Sequence, residues 1–146
     1  MAFTTKTLCL ILVLAIVGHG LTEAYSLSYL YNSRVRLAER YERPLASSAS
    51  IPSWISNALG LKHSGVVVTL QNEGHRYLVH KGDEYGRSSQ TVVVDADFMR
   101  ARNWKLTASK TIRRSRVADY VRAGGSHYNV LHDNCHDASR RMMRLN

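Results

Sequence analysis

Residues 63–80 read His-Ser-Gly-Val-Val-Val-Thr-Leu-Gln-Asn-Glu-Gly-His-Arg-Tyr-Leu-Val-His, and this segment carries the strongest fold signal in the chain. Its first half is rich in β-branched side chains, which favour strands. The Gln-Asn-Glu-Gly segment at 71–74 is a turn signal, and the chain then returns as a second strand that ends at His80. The pattern predicts a β-hairpin that brings His63 and His80 to the same end of a sheet.

The segments that follow complete a small α+β domain over residues 61–146. Residues 91–94 (Thr-Val-Val-Val) predict a third strand, and residues 97–112 are ambiguous between a strand and an irregular segment. A short helix is expected near 117–121, ending at a Gly-Gly pair, and a short strand at 128–131. The fold class is therefore a small antiparallel sheet packed by helices.

The segment before this domain, residues 25–60, is predicted to form an N-terminal helical cap. Apolar residues between 25 and 43 recur at the spacing of one helical face, which predicts an amphipathic helix that Pro44 ends. Residues 46–50 are typical of a loop, and residues 52–59 could form a short helix.

Residues 1–24 resemble a secretion signal. Lys6 precedes an apolar run of ten residues at 8–17, which is shorter than the roughly 20 residues that a membrane-spanning helix needs. Cleavage after Gly20 or Ala24 is compatible with the sequence, and an uncleaved anchor is the alternative. We expect a secreted protein, and Cys9 is then lost with the signal.

The formal charge of the chain is +9, and removing residues 1–24 leaves it unchanged because Lys6 and Glu23 leave together. High positive charge favours solubility and also attraction to an anionic membrane, a wall polymer or an acidic glycan. Nucleic acid is not expected as a partner, since no stripe of aromatic and basic residues suited to single strands is present. The sequence does not indicate the oligomeric state.

Cys135 opens a predicted C-terminal helix, with Asp133 or Asn134 as its N-cap. Four residues recur at helical spacing and share a face that should pack on the sheet: Cys135, Ala138, Ser139 and Met142. A helix N-terminus favours a thiolate, so we expect a lowered thiol pKa and a nucleophilic role. The alternative is a small buried core residue.

A thiol nucleophile needs a base, and the base needs a group that orients its ring. His63 and His80 are the candidates, because strands hold imidazoles rigidly. Each could instead be a structural histidine. Zinc binding by these two histidines and Cys135 is a weaker alternative, because no closely spaced ligand pair supports it. No cofactor or metal is therefore expected.

The motifs His-Ser-Gly-Val-Val-Val (63–68), Tyr-Leu-Val-His (77–80) and Asn-Cys (134–135) together resemble the lecithin–retinol acyltransferase-like group. That group belongs to the NlpC-type, papain-like superfamily in its circularly permuted order. The resemblance covers residues 61–146. It implies a permuted papain-like fold, Cys135 as the nucleophile, His63 as the general base and His80 as the residue that orients His63.

The residues beside these motifs differ from the usual family pattern. Ser64 stands where an aromatic residue is common, and His136-Asp137-Ala138 replaces a Glu-His or Gln-His pair followed by an aromatic residue. The resemblance therefore implies acyl transfer from an amide or ester, in a peptide, lipid or wall polymer, without naming the substrate. The alternatives are a secreted cationic binding or toxin-like protein with an inactive site, and an extracellular-matrix component that pairs through Cys135.

Overall fold

The computed structural model describes residues 26–44, 61–72, 74–82, 91–100, 103–129 and 131–146. The chain divides into two compact units, Met1–Asn32 and Ser33–Asn146. In the first unit, helix α1 spans residues 26–32. The predicted signal at 1–24, the loop at 46–50 and the short helix at 52–59 lie outside the described residues. Within the described part of the chain, we find no helix with the length and apolar character needed to cross a membrane.

The second unit is built on one antiparallel sheet. Its strands are β1 (Val35–Pro44), β2 (Lys62–Leu70), β3 (Arg76–Lys81), β4 (Thr91–Asp95) and β5 (Lys105–Thr111). They lie in the order β4-β3-β2-β1-β5, so β2 is central. The α+β class with a small antiparallel sheet is confirmed. The predicted hairpin is β2–β3, and the predicted third strand is β4.

The predicted amphipathic helix over 25–43 is correct only for α1, because residues 35–44 form strand β1 between β2 and β5. Val35 pairs with Leu70 and Ala38 pairs with Val68, across a register shift between Val35 and Leu37. Leu70 and Val68 share one face of β2, so the bulge places Val35 and Ala38 on that same face. Two buried residues three apart mimic helical spacing, and this misled the sequence prediction.

The boundary between the cap at 25–60 and a domain beginning at 61 is therefore also wrong. Strand β1 forms ladders with both β2 and β5, which makes it an inner strand of the sheet. Residues 37–42 pair with β2 on one side and with β5 on the other, so most of their backbone groups find partners, and this outweighs their helix propensity. The sheet unit begins at Ser33.

Two helices cover one face of the sheet. Helix α2 spans Val117–Gly124, as expected, and α3 spans Cys135–Met142. The four residues predicted to face inward from α3 are all buried: Cys135, Ala138, Ser139 and Met142. The apolar centre of β2 and β3 lies beneath these helices and contributes Val66, Val68 and Val79, each without exposed surface.

Two other predicted segments take definite form. The ambiguous stretch at 97–112 contains the end of a 3₁₀ helix (Ala96–Met99) and the whole of β5. The strand predicted at 128–131 is wrong, because Asn129 forms only an isolated bridge with Asp133. The Asn129 side-chain oxygen accepts hydrogen bonds from the Leu131 and His132 amides, at 2.9 and 3.1 Å, which closes a turn before α3.

Candidate functional site

The β2–β3 hairpin joins the two predicted histidines. Gly65 pairs with His80 across the ladder, and alternation along β2 places His63 on the same face as Gly65. Nε2 of His63 lies 3.2 Å from Nδ1 of His80, and the rings meet edge to face with centroids 5.3 Å apart. Both side chains are buried. The expectation that the hairpin brings them together is confirmed.

Gly65 is required for this close pairing. A Cβ at this position would lie 2.8 Å from Cδ1 of Leu78 and 2.9 Å from Cβ of His80. Both distances are shorter than side chains tolerate, so any larger residue would displace the strand that carries His80.

The His63 ring is enclosed by aromatic and basic side chains. Trp104 meets it edge to face with centroids 5.6 Å apart, and the Arg43 guanidinium lies 5.3 Å from the Trp104 ring centre. Burial lowers the pKa of His63 to about 3, and the neighbouring charges of His80, Arg43 and His136 act in the same direction. His63 is therefore neutral at physiological pH.

Helix α3 presents Cys135 as its first residue. The Asn134 side chain accepts hydrogen bonds from the amides of His136 and Asp137, at 2.9 and 3.1 Å. The Asp137 carboxylate in turn accepts the Asn134 amide at 3.2 Å. This reciprocal capping box fixes the direction in which the chain enters the helix. Asn134 is thus the N-cap, one of the two residues the sequence suggested.

The sulfur of Cys135 lies against Ser64. Hydrogen bonds from the Ser64 amide and hydroxyl, and from the amides of Cys135 and His136, favour the thiolate. Burial acts against them and is the largest effect, so the pKa of the Cys135 thiol is raised. The expectation of a lowered pKa is wrong, because the helix N-terminus does not compensate for removing the sulfur from water.

A hydrogen-bonded network that the sequence did not reveal surrounds this thiol. Ser139 Oγ lies 3.0 Å from Ser64 Oγ and accepts a hydrogen bond from Arg40 Nε, also at 3.0 Å. His136 hydrogen-bonds the Lys62 carbonyl through Nε2 at 2.9 Å. The one sequence signal for the contact between Ser64 and the thiol was that Ser64 follows His63 in a strand. Alternation turns Ser64 toward the face of β2 opposite to that of His63.

The structure therefore brings His63 to His80 and Cys135 to Ser64. His63 and Ser64 are adjacent in the chain, but their side chains point to opposite faces of β2. Among the described residues, no hydrogen bond joins the His63 ring to the Cys135 sulfur. The three predicted site residues converge on one end of β2, while their catalytic roles stay predictions.

A cavity of about 660 Å³ lies beside Trp104 and is also lined by Tyr41, Arg76 and Asp95. Because Trp104 packs against the His63 ring, this cavity lies next to the imidazole pair. No group of three or more His, Cys, Asp or Glu side chains is arranged to hold a metal ion in the described part of the chain.

Comparison with known proteins yields no match to a family model, to a curated protein or to a solved structure.

Proposed function

We propose that this protein is a secreted, cysteine-dependent hydrolase or acyltransferase that acts on an amide or an ester. Cys135 is the nucleophile, His63 the general base and His80 the residue that orients His63. The observation that carries the proposal is that a buried thiol at a capped helix start and a buried imidazole pair lie at the same end of β2, the thiol against Ser64 and the imidazole pair at His63, on opposite faces of the strand. The proposed chemistry is that of permuted papain-like enzymes of the lecithin–retinol acyltransferase-like group, which the sequence motifs resemble.

The reaction starts from neutral groups. Burial keeps Cys135 as a thiol and His63 as an imidazole, so His63 takes the proton from the sulfur as the sulfur attacks the carbonyl carbon. His63 then returns this proton to the departing amine or alcohol, and a thioester remains on Cys135. Water or another acceptor attacks the thioester, which releases the acyl group and restores the thiol.

Two features of the site bear on this sequence of steps. The Cys135 amide is at the N-terminus of α3, where it is suited to stabilise a developing oxyanion. The imidazole and the thiol lie on opposite faces of β2, so the proposed proton transfer requires the start of this strand to rearrange when substrate binds.

Turnover and covalent capture test the proposal. The secreted chain is assayed with p-nitrophenyl esters and aminocoumarin amides, and intact mass is recorded for an acyl adduct at Cys135. We expect the Cys135→Ala variant to lose turnover and adduct, and His63→Gln to lower kcat by about 100-fold. Ser115→Ala, at a buried serine that bonds the Asn146 carbonyl instead, serves as the control. An active Cys135→Ala variant would exclude the mechanism.

A second candidate is a secreted cationic binding protein with an inactive site. The raised pKa of Cys135 and the lowered pKa of His63 favour it, because neither group is pre-activated. Labelling of Cys135 by iodoacetamide across pH separates the two proposals. A catalytic pair predicts that His63→Gln alters the labelling profile, whereas an inactive site predicts no change. If the protein is instead an extracellular-matrix component that pairs through Cys135, it should form a disulfide-linked dimer that a reductant converts to monomer.

A further inference from the structure

Lys81 is a fully buried charge at the end of β3. Its side chain has no exposed surface, its Nζ lies 2.8 Å from Asp133 Oδ2, and it donates a hydrogen bond to the Gly124 carbonyl at 3.0 Å. Removing an ammonium from water is costly unless a partner compensates for it. The Lys81 charge is thus satisfied by one carboxylate and by a carbonyl at the end of α2.

Arg141, on helix α3, binds the same two groups, the Asp133 carboxylate and the Gly124 carbonyl. Its Nη2 lies 2.7 Å from Asp133 Oδ1 and 2.8 Å from the Gly124 carbonyl, and its Nε donates to the Ala123 carbonyl at 2.7 Å. Partial burial would raise the pKa of Asp133, but hydrogen bonds and charge from Lys81 and Arg141 outweigh it and lower the pKa. Asp133 is therefore a carboxylate held by two cations from separate elements.

Lys81, Asp133 and Arg141 together form what we call the clasp, and their positions in the chain link it to the candidate site. Lys81 directly follows His80 on β3, and alternation turns its side chain to the helix-covered face. Asp133 closes the turn that leads into Asn134 and Cys135, through reciprocal backbone hydrogen bonds with Asn129 of 3.1 and 2.9 Å. One strand end thus carries the residue that contacts His63 and the residue that holds the turn before the thiol.

A buried ion pair is weak evidence for stability, since an apolar replacement is often as stable. What such an ion pair provides is a fixed position, because a carboxylate held by two cations has few alternative positions. We propose that Lys81, Asp133 and Arg141 are positioning residues, which hold the turn before Cys135 so that its sulfur stays against Ser64. The catalytic meaning of this clasp rests on the proposed function, but its effect on the thiol does not.

Alkylation of Cys135 tests the clasp in the full chain secreted from a host cell, with the labelled peptide identified by mass spectrometry. Wild type, Lys81→Met, Asp133→Asn and the double variant are labelled with iodoacetamide at several urea concentrations below the unfolding transition. We expect about tenfold faster labelling in each single variant, independent of urea, because local opening exposes little surface. The double variant should label no faster than the single variants.

Arg122→Met is the matched control, because it removes another arginine–aspartate pair, Arg122 with Asp119, from the exposed side of α2. It should label like wild type. If Lys81→Met does not accumulate, Arg141→Met replaces it, since that side chain is 39% exposed, and a several-fold increase is expected. Unchanged labelling, or labelling that rises with urea in parallel with global unfolding, would overturn the clasp.

Turnover of the ester substrates gives a second readout. If the proposed function holds, Asp133→Asn should lower kcat with little change in KM, because the turn misplaces the nucleophile without altering substrate contacts. If wild type shows no turnover, the proposed function fails while the labelling result still decides whether the clasp positions Cys135.

Discussion

At the scale of single residues, His63 and Ser64 show how alternation along a strand divides two roles. The His63 ring contacts His80 and Trp104 on one face, and Ser64 contacts Ser139 and the Cys135 sulfur on the other. The candidate site is therefore organised across β2, and the reactivity of each group is governed by its own burial.

The buried imidazole of His63 makes stability depend on pH. Its folded pKa of about 3 lies below the 6.5 of an unperturbed histidine, so the unfolded chain binds the extra proton between these values. Stability should fall as pH drops through this window, by up to about 1.4 kcal/mol per pH unit. His63→Gln should flatten the slope measured by urea unfolding between about pH 6.5 and pH 4.5.

His127→Gln, at an exposed histidine, is the control for this measurement and should keep the wild-type slope. The measured pH range ends above the range in which Asp133 and Asp137 gain protons in the folded protein, because hydrogen bonds lower the pKa of both carboxyls. An equal slope in wild type and His63→Gln would mean that His63 is hydrated or charged in the folded protein.

At the scale of elements, β1 is the clearest departure from the sequence prediction. Its residues have good helix propensity and helix-like spacing, yet it lies between two strands. Local preference amounts to a few tenths of a kcal/mol per residue, whereas an inner strand satisfies every backbone group and buries side chains on the sheet.

Proline substitution tests the assignment of β1. Ala38 is fully buried and paired with Val68 on one side and Lys110 on the other, so Ala38→Pro should cost about 3 kcal/mol or more of unfolding free energy. Ala96→Pro is the control, because Ala96 opens the 3₁₀ helix and Asp95 already has φ −57° and ψ 139°, which suits a residue before proline.

Urea unfolding followed by circular dichroism gives both values. Ala96→Pro should stay within about 1 kcal/mol of wild type, since the first position of a helix tolerates proline. Equal losses from the two substitutions would contradict an inner-strand position for Ala38.

At the scale of the whole molecule, the net charge of +9 is the feature most relevant to partners. We expect binding to vesicles that contain phosphatidylserine and little binding to vesicles of phosphatidylcholine alone. Co-sedimentation should show this binding weaken as salt rises from about 0.1 M to about 1 M, because the screening length falls from about 10 Å to about 3 Å. Salt-independent binding, or equal binding to both vesicles, would exclude electrostatic targeting.

The hairpin β2–β3, strand β4 and helices α2 and α3 were predictable because their signals are local. β-Branched runs around a turn specify the hairpin, and the spacing of Cys135, Ala138 and Met142 specifies the buried face of α3. The pairing of His63 with His80 followed from the hairpin, because an antiparallel pair must bring the start of one strand to the end of the next.

The tertiary structure alone decided the identity of β1, the raised pKa of the Cys135 thiol and the Lys81–Asp133–Arg141 clasp. Each depends on which distant residues become neighbours and on how much water they exclude, and no local pattern encodes either quantity. The sequence placed Cys135 at a helix start, where the dipole favours a thiolate. Burial against Ser64 decided that the resting group is a thiol, since desolvation penalises the charged form.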